Sequence, residues 1–567
     1  MIYKIDIEAN GKTTLKTSIK GKPLLFHPRL NKGNAFSYKE RKDFALMGKL
    51  PPVVESLDTQ VNRVYHQYSR VKGNHAKSIF LHALFNINEI LFYALVTRYI
   101  SEITDKLYTP TVSESVKDYS VEYRQPRGIF ISYKDEEFIE DILANRTNSE
   151  LDIIVISDGE AILGIGDQGV GGMGIPVAKA AMHVVAGGVS PYRIAPLFVD
   201  VGTNNAALLK DPYYLGLKET RLGPDAYRKF LTLLLNKIYA LFPDVVIHFE
   251  DFSKNNARWL LDTFGKSHPC FNDDIQGTAA IVLSAIMTAL HRKNESIADQ
   301  RIMLVGPGAA GLGILETLLA YLKINAPATD DFCSNIWLIG RNGVVTDDID
   351  DDYLKPFAKD RSLVEHWTDT SFETAVKKVK PTILIGVTGK ADLFHADIIK
   401  EIFDHVEKPI ILPLSNPSLQ SECVPQAVYD QVDQPFFIAT GSPFAIQKDS
   451  EVMPVSQCNN LYAFPAIASG MVACKANRLS QEMIIAVAEH ISRFTLSRYD
   501  NHMTITPMLD DLSDVADEAA VGLINSACKS GSAQVDYDTA LQRFNQLKWT
   551  PHYIDYVYTS GIIEESA

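Results

Sequence analysis

The chain has 567 residues, 46% of them apolar and 22% charged, the proportions of a soluble globular protein long enough for about three or four domains. Its 55 basic and 69 acidic side chains leave a net charge of −14, which opposes long-range attraction to nucleic acid or an anionic membrane. An anionic small-molecule substrate would therefore need its own cationic pocket or a metal.

The N-terminus, MIYKIDIEANGKTTLK, has no apolar signal-peptide core, and the chain is expected in the cytoplasm. Residues 1–130 read as a mainly helical region after an irregular start, with packed helices between Lys77 and Ile103 and a stop at Tyr108-Thr109-Pro110. A catalytic α/β block is expected over 131–277: LDIIVIS (151–157), PLFVD (196–200) and VVIHF (245–249) read as strands, and Gly223-Pro224-Asp225 opens a helix. The apolar run Phe230 to Phe242 is too short to span a bilayer.

A second α/β block is expected over 278–466. RIMLV (301–305), NIWLI (335–339), TILIGV (382–387), PIILPL (409–414) and PFFIAT (435–440) are its strands, separated by room for crossover helices. That is the pattern of a doubly wound parallel sheet, a Rossmann-like fold. Residues 467–540 return to helix, as a second part of the catalytic domain, and 541–567 read as an irregular aromatic tail. The six cysteines (270, 333, 423, 458, 474, 528) form no CxxC pair, so free thiols are expected rather than a disulfide framework or zinc site.

Gly306-Pro307-Gly308-Ala309-Ala310-Gly311 follows a strand and precedes a leucine-rich helix, the context a dinucleotide fingerprint requires; the other reading is a structural glycine turn. The acid that would bind a ribose hydroxyl should close the next strand, yet Gly340-Arg341 stand there. Arg341 reads either as a partner for the 2′-phosphate of NADP or as a solvated turn residue.

The run Gly164-Ile165-Gly166-Asp167-Gln168-Gly169 is a poorer fingerprint and a better glycine loop for backbone approach to a small substrate. Pro176 then opens a helix with Lys179 near its positive end, which would favour a neutral amine. Glu250-Asp251 close one strand, and Asp273-Asp274 follow Phe271-Asn272; together they make an oxygen-rich set for Mg²⁺ or Mn²⁺, and singly each reads as a cap or solvated turn. Asn416 and Asn459-Asn460 follow apolar runs and read either as amide ligands or as turn formers. Gly265-Lys266-Ser267 lacks the first glycine of a phosphate loop, since position 260 is Leu260.

YTPTV (108–112), DGE with ILGIGDQGVGGMGIPVAK (158–179), DVGTNN (200–205), FEDF (249–252), FNDDIQGTA (271–279), LSNP (414–417), GSPF (441–444) and NN (459–460) resemble the malic enzymes, in order, from about residue 30 to 545. The resemblance implies an α/β fold with a helical N-terminal region, a catalytic domain and an inserted Rossmann-like domain. It implies Glu250, Asp251 and Asp274 as ligands of Mn²⁺ or Mg²⁺, Lys179 as general base with Asp273 beside it, and Tyr108 as the acid. Asn416 and Asn460 would hold malate; Gly306, Gly308, Ala309, Ala310, Gly311, Arg341 and Asn416 would contact NAD or NADP. The expected activity is oxidative decarboxylation of malate to pyruvate in a homodimer or homotetramer, with no nucleic-acid or membrane partner.

Two positions depart from the family. Ala161 stands where malic enzymes carry an arginine for a malate carboxylate, which keeps open the malolactic alternative, malate to lactate and carbon dioxide with NAD. Ile87 replaces the arginine through which some animal relatives bind fumarate, so no site of that kind is expected. A regulatory protein without catalysis is the third alternative, opposed by intact Tyr108, Lys179 and the three acids.

Overall fold

The computed structural model describes residues 2–7, 13–108, 111–146, 150–325, 333–448, 451–500 and 503–560. Thr109 and Pro110 of the YTPTV run lie outside them. The chain forms two compact units. The first comprises Met1–Asp158, Gln168–Val245 and Leu547–Ala567, the second Gly159–Asp167 and Val246–Gln546.

In the first unit the irregular start and tail of the sequence reading are in fact strands. β1 (Tyr3–Ile7) pairs antiparallel with β2 (Thr13–Thr17), and β2 pairs in parallel with residues Asp555–Tyr558. Leu15 and Tyr556 reach a small core with Phe36 and Phe44. The helical stretch divides into α1 (Asn74–Ile87), α2 (Glu89–Arg98) and α3 (Ile100–Leu107). Asn88 separates the first two because its side chain caps α2, accepting from the Leu91 N–H at 3.0 Å.

β3 (Ile129–Ser132), β4 (Ile153–Ser157) and β5 (Ile194–Asp200) follow, with β5 paired in parallel to both others. Every residue of β4 is buried, which is why it reads as an unbroken apolar run rather than an alternation. α4 (Gly174–Val185) connects β4 to β5, and α5 (Pro224–Leu241) begins at the proline named above.

The second unit contains β6 (Val246–Glu250) and β7 (Cys270–Asn272), paired in parallel with His248 opposite Phe271. A π-type turn, Asp273–Gly277, leads into α6 (Thr278–Lys293). The span Asp273–Lys293 is long and apolar enough to cross a membrane, but 78% of its apolar window is buried in the protein as a core helix.

β8 (Ile302–Val305), β9 (Ile336–Gly340), β10 (Gly343–Val344), β11 (Ile383–Gly386), β12 (Ile410–Pro413) and β13 (Phe437–Thr440) build the larger sheet. Its order is β10-β9-β8-β11-β12-β13 followed by Ser456–Gln457, and only β10 runs antiparallel. α7 (Ala309–Asn325) leaves β8 through the glycine motif and buries Leu315, Leu318 and Leu322. All five strands expected in this block are present, each within two residues at either end.

Candidate active site

The metal-type cluster is built from the ends of two neighbouring strands. Glu250 is the last residue of β6, and Asp251 turns the chain with a φ of 59°, a left-handed conformation uncommon outside glycine. Two hydrogen bonds hold that turn. The Asp251 N–H donates to Asp274 Oδ2 at 2.9 Å, and the Asp251 carbonyl accepts from the Ala161 N–H at 2.9 Å. Glu250, Asp251 and Asp274 each present a carboxylate oxygen within 4.8 Å of the others.

Glu250 and Asp251 are each only 4% exposed. Carboxylates this close and this buried repel one another unless a cation balances them. The all-oxygen donor set fits Mg²⁺ or Mn²⁺ rather than a thiophilic metal.

Asp273 is fully buried beside this cluster. Its carboxylate folds back over the π-type turn, and glycine at 277 makes that possible: a Cβ there would lie 1.7 Å from Asp273 Oδ1. The Asn460 amide donates to Asp273 Oδ2 at 3.1 Å and also approaches the Thr278 hydroxyl at 3.0 Å. Asn460, expected as a malate ligand, is here engaged with the Asp273 carboxylate.

Asn416 precedes a cis Asn416-Pro417 bond and accepts from the Ser442 hydroxyl at 2.5 Å. The glycine loop comes to the same turn, with the Gln420 amide 3.4 Å from the Gly164 carbonyl.

Tyr108 and Lys179 belong to the first unit. Tyr108 caps the C-terminus of α3, 7% exposed, and Lys179 is 2% exposed with its Nζ 5.2 Å from the Tyr108 ring centroid. α4 begins at Gly174, two residues before the expected Pro176, after a 3₁₀ turn over Gly169–Met173. Lys179 is therefore the sixth helical residue. A helix dipole acts mainly within the first turn, so Lys179 lies beyond the reach of the expected dipole effect.

The nucleotide cradle follows the fingerprint glycine by glycine. Gly306 has a φ of 109°, and a Cβ there would lie 2.5 Å from the Val387 carbonyl; at Gly311 it would lie 2.2 Å from the Gly306 carbonyl. At Gly308 it would meet nothing. The outer two glycines thus serve the turn and the helix–strand packing, while the middle one leaves the backbone bare toward a ligand, with Ala309 and Ala310 opening α7. Off the end of β9 lies a cavity of about 640 Å³, lined by Pro307, Gly340, Arg341, Asp348 and Arg361 among others.

Two family models match, described as "Malic enzyme, N-terminal domain" over residues 85–265 and "Malic enzyme, NAD binding domain" over 275–528. The NAD-dependent malic enzyme of Proteus mirabilis is 38% identical over 564 residues, spanning 98% of this chain and 100% of that protein. The NAD-dependent malic enzyme of Pseudomonas aeruginosa is 37% identical over 559 residues, 97% and 99% of the two chains. The chain belongs to the malic enzyme family.

Two malic enzyme crystal structures share the fold. The one from Entamoeba histolytica has a TM-score of 0.52 at 21% identity, covering 89% of this chain and 91% of that one. The one from Pyrococcus horikoshii has a TM-score of 0.53 at 22% identity, covering 79% and 88%.

Within this malic enzyme, two supporting residues escaped the sequence reading. His248 is fully buried, with Nε2 3.0 Å from Glu250 Oε2 and its ring packed on Phe271 and Phe464 at centroid distances of 4.6 and 5.3 Å. The signal was available, since residues two apart on a strand share a face, so a histidine at 248 must lie beside Glu250. Gly277 was read only as part of a motif. Its steric reason depends on the Asp273 rotamer, which no sequence pattern encodes.

Proposed function

We propose that this chain oxidatively decarboxylates L-malate to pyruvate and carbon dioxide with NAD as hydride acceptor, using Mn²⁺ or Mg²⁺ held by Glu250, Asp251 and Asp274. The observation that carries this reading is the meeting of those three carboxylates, Glu250 and Asp251 buried and Asp274 half-buried, beside the fully buried Asp273. Lys179 takes the C2 hydroxyl proton as hydride leaves C2. Asp273 orients the acid–base groups, itself held by Asn460. When bound, the divalent cation supplies a Lewis acid for the C2 oxygen while the carboxylate is lost. Tyr108 then returns a proton to C3, a transfer worth about 10²–10⁴ in rate when the donor is well placed. Asn416 contributes an amide for malate or nicotinamide, and Gly306, Gly308 and Gly311 the cradle for the pyrophosphate.

The test is product analysis with malate, Mn²⁺ and NAD. Equimolar NADH and pyruvate, abolished by chelation, are expected. Lactate without net NADH, the outcome Ala161 keeps in view, would overturn the oxidative reading. The assembly is proposed as a cytoplasmic homodimer or homotetramer, and light scattering on the purified chain decides between them.

A further inference from the structure

β11 and β12 lie side by side in the larger sheet, with Gly386 opposite Pro413, so the loops that leave their carboxyl ends are neighbours. The first loop runs past the glycine cradle: a Cβ on Gly306 would lie 3.2 Å from Thr388 Cγ2. The second loop carries Ser415 and Asn416. Glu422 joins the two. It is fully buried, and among the described residues all four hydrogen bonds to its carboxylate come from these loops. Oε1 accepts from the Thr388 N–H at 2.8 Å, the Thr388 hydroxyl at 2.8 Å and the Ser415 hydroxyl at 2.5 Å. Oε2 accepts from the Ser415 N–H at 3.2 Å. The Gly389 N–H completes the tie by donating to Ser415 Oγ at 2.8 Å.

Every partner of Glu422 donates, and a carboxylate is the side-chain group that offers acceptors alone. A glutamine there would turn one oxygen into a donor facing a donor. The surroundings are also shaped to this side chain. A Cβ on Gly386 would lie 2.6 Å from Glu422 Cγ and 2.7 Å from Cδ, so glycine at the end of β11 makes the room. Burying a carboxylate is costly unless its lone pairs are satisfied. What it supplies in return is a fixed register between two loops. Ser415 is the residue before Asn416, and the Asn416 side chain is held in turn by the Ser442 hydroxyl. Asn416 is therefore fixed twice, its backbone through Ser415 and Glu422 and its amide through Ser442.

We propose that Glu422 is a positioning residue for the reaction. It sets the backbone at Ser415, hence the place of the Asn416 amide, and ties that amide to the loop beside the glycine cradle. The proposal rests on the reading of Asn416 as an amide for malate or nicotinamide. Glu422 is fully buried and acts only through the residue it places.

The experiment uses the full chain with Mn²⁺, malate and NAD, and compares Glu422→Gln, Asn416→Ala and the double variant. A glutamine keeps most bonds with its oxygen at the Oε1 place, which sets its NH₂ group against the Ser415 N–H. We expect Glu422→Gln to lower kcat/KM for malate about tenfold, the effect of one buried donor left unpaired, with Mn²⁺ affinity unchanged. In the Asn416→Ala background the same substitution should cost less than about twofold, because a positioning effect needs the group it positions. Hydrogen–deuterium exchange gives a readout independent of turnover: the Ser415 amide should exchange faster in Glu422→Gln, and the Thr388 amide should not. Ser415→Ala, which removes the hydroxyl shared by Glu422 and Gly389, replaces Glu422→Gln should that variant fold poorly, with the same dependence on Asn416 expected. Losses that multiply in the double variant, or exchange at Ser415 that does not change, overturn the proposal. Should the unaltered chain reduce no NAD with malate while exchange at Ser415 responds as expected, the hold of Glu422 on Asn416 stands and the malate reading falls.

Discussion

Two strand ends in the second unit are finished in opposite ways. β6 runs into Glu250 and Asp251, each 4% exposed, with His248 behind them and Asp273 fully buried alongside. β9 runs into Gly340 and an exposed Arg341, beside a cavity whose Arg361–Asp348 pair stands in solvent. Both are carboxyl ends of parallel strands, the places where such sheets bind ligands.

The difference follows from what each end must do. Charges in a low-dielectric site act strongly on a bound cation and on charge developing in a reaction, at the cost of desolvating every carboxylate involved. That cost is acceptable only if neighbours fix the geometry, as the Ala161 and Asp274 bonds fix Asp251. Nucleotide recognition needs less. Exposed charges there pair weakly and can exchange partners, whereas the buried carboxylates at the β6 end are held in place.

The largest test of this contrast removes chemistry outright. Lys179→Ala should lower kcat by at least about 10³, in the range for lost acid–base catalysis, while Mn²⁺ binding measured by electron paramagnetic resonance is retained. Glu250→Ala should lose both. Retained Mn²⁺ affinity in Glu250→Ala would break the assignment of the β6 end.

A smaller effect is expected at His248. His248→Leu removes the donor to Glu250 and should weaken Mn²⁺ about 10–100-fold, whereas His248→Gln, which keeps a donor of similar reach, should recover most of that loss. Equal effects of both substitutions would reduce His248 to a packing residue.

Smaller again is ligand-linked stability. Mn²⁺ at about 100 times its dissociation constant should add about 2.7 kcal/mol and raise the thermal midpoint, an increment absent in Glu250→Ala.

The smallest effect lies far from either end. Burial pushes the Lys548 ammonium down to about 8 from its ordinary value of 10.5, beside the Gly187 carbonyl at 3.4 Å. Below pH 8 folded and unfolded chains both hold the proton, and burying the charge costs its full amount. Between pH 8 and 10.5 the folded state releases it first, so this contribution to stability rises with pH. Lys548→Met should therefore raise the thermal midpoint at pH 7, and its advantage should shrink toward pH 10.

Much of this molecule was legible from its residues. The five strands of the larger sheet declare themselves as short β-rich runs because parallel strands buried on both faces carry no polar alternation. The two acid pairs and the glycine fingerprint stand out because each follows a strand, while the choice of Glu250, Asp251 and Asp274 from the four acids came from the resemblance to malic enzymes. The terminal strands were not legible. Tyr3–Ile7 and Asp555–Tyr558 have mixed composition and are strands only because Thr13–Thr17 pairs with both. The assignment of residues Gly159–Asp167 to the second unit was equally hidden, since it is a fact of long-range contact.

By itself, then, the sequence determined the kinds of groups available: carboxylates at strand ends, a lysine on a helix, a glycine turn, and Gly340-Arg341 where an acid is usual. Those follow from local periodicity and residue chemistry. Tertiary structure alone decided what those groups do to one another. It placed His248 against Glu250, folded Asp273 over Gly277, gave Asn460 to Asp273, and left Arg341 exposed beside an open cavity. Burial, rotamer and partner depend on segments far apart in the chain, and distance in the sequence carries no record of them.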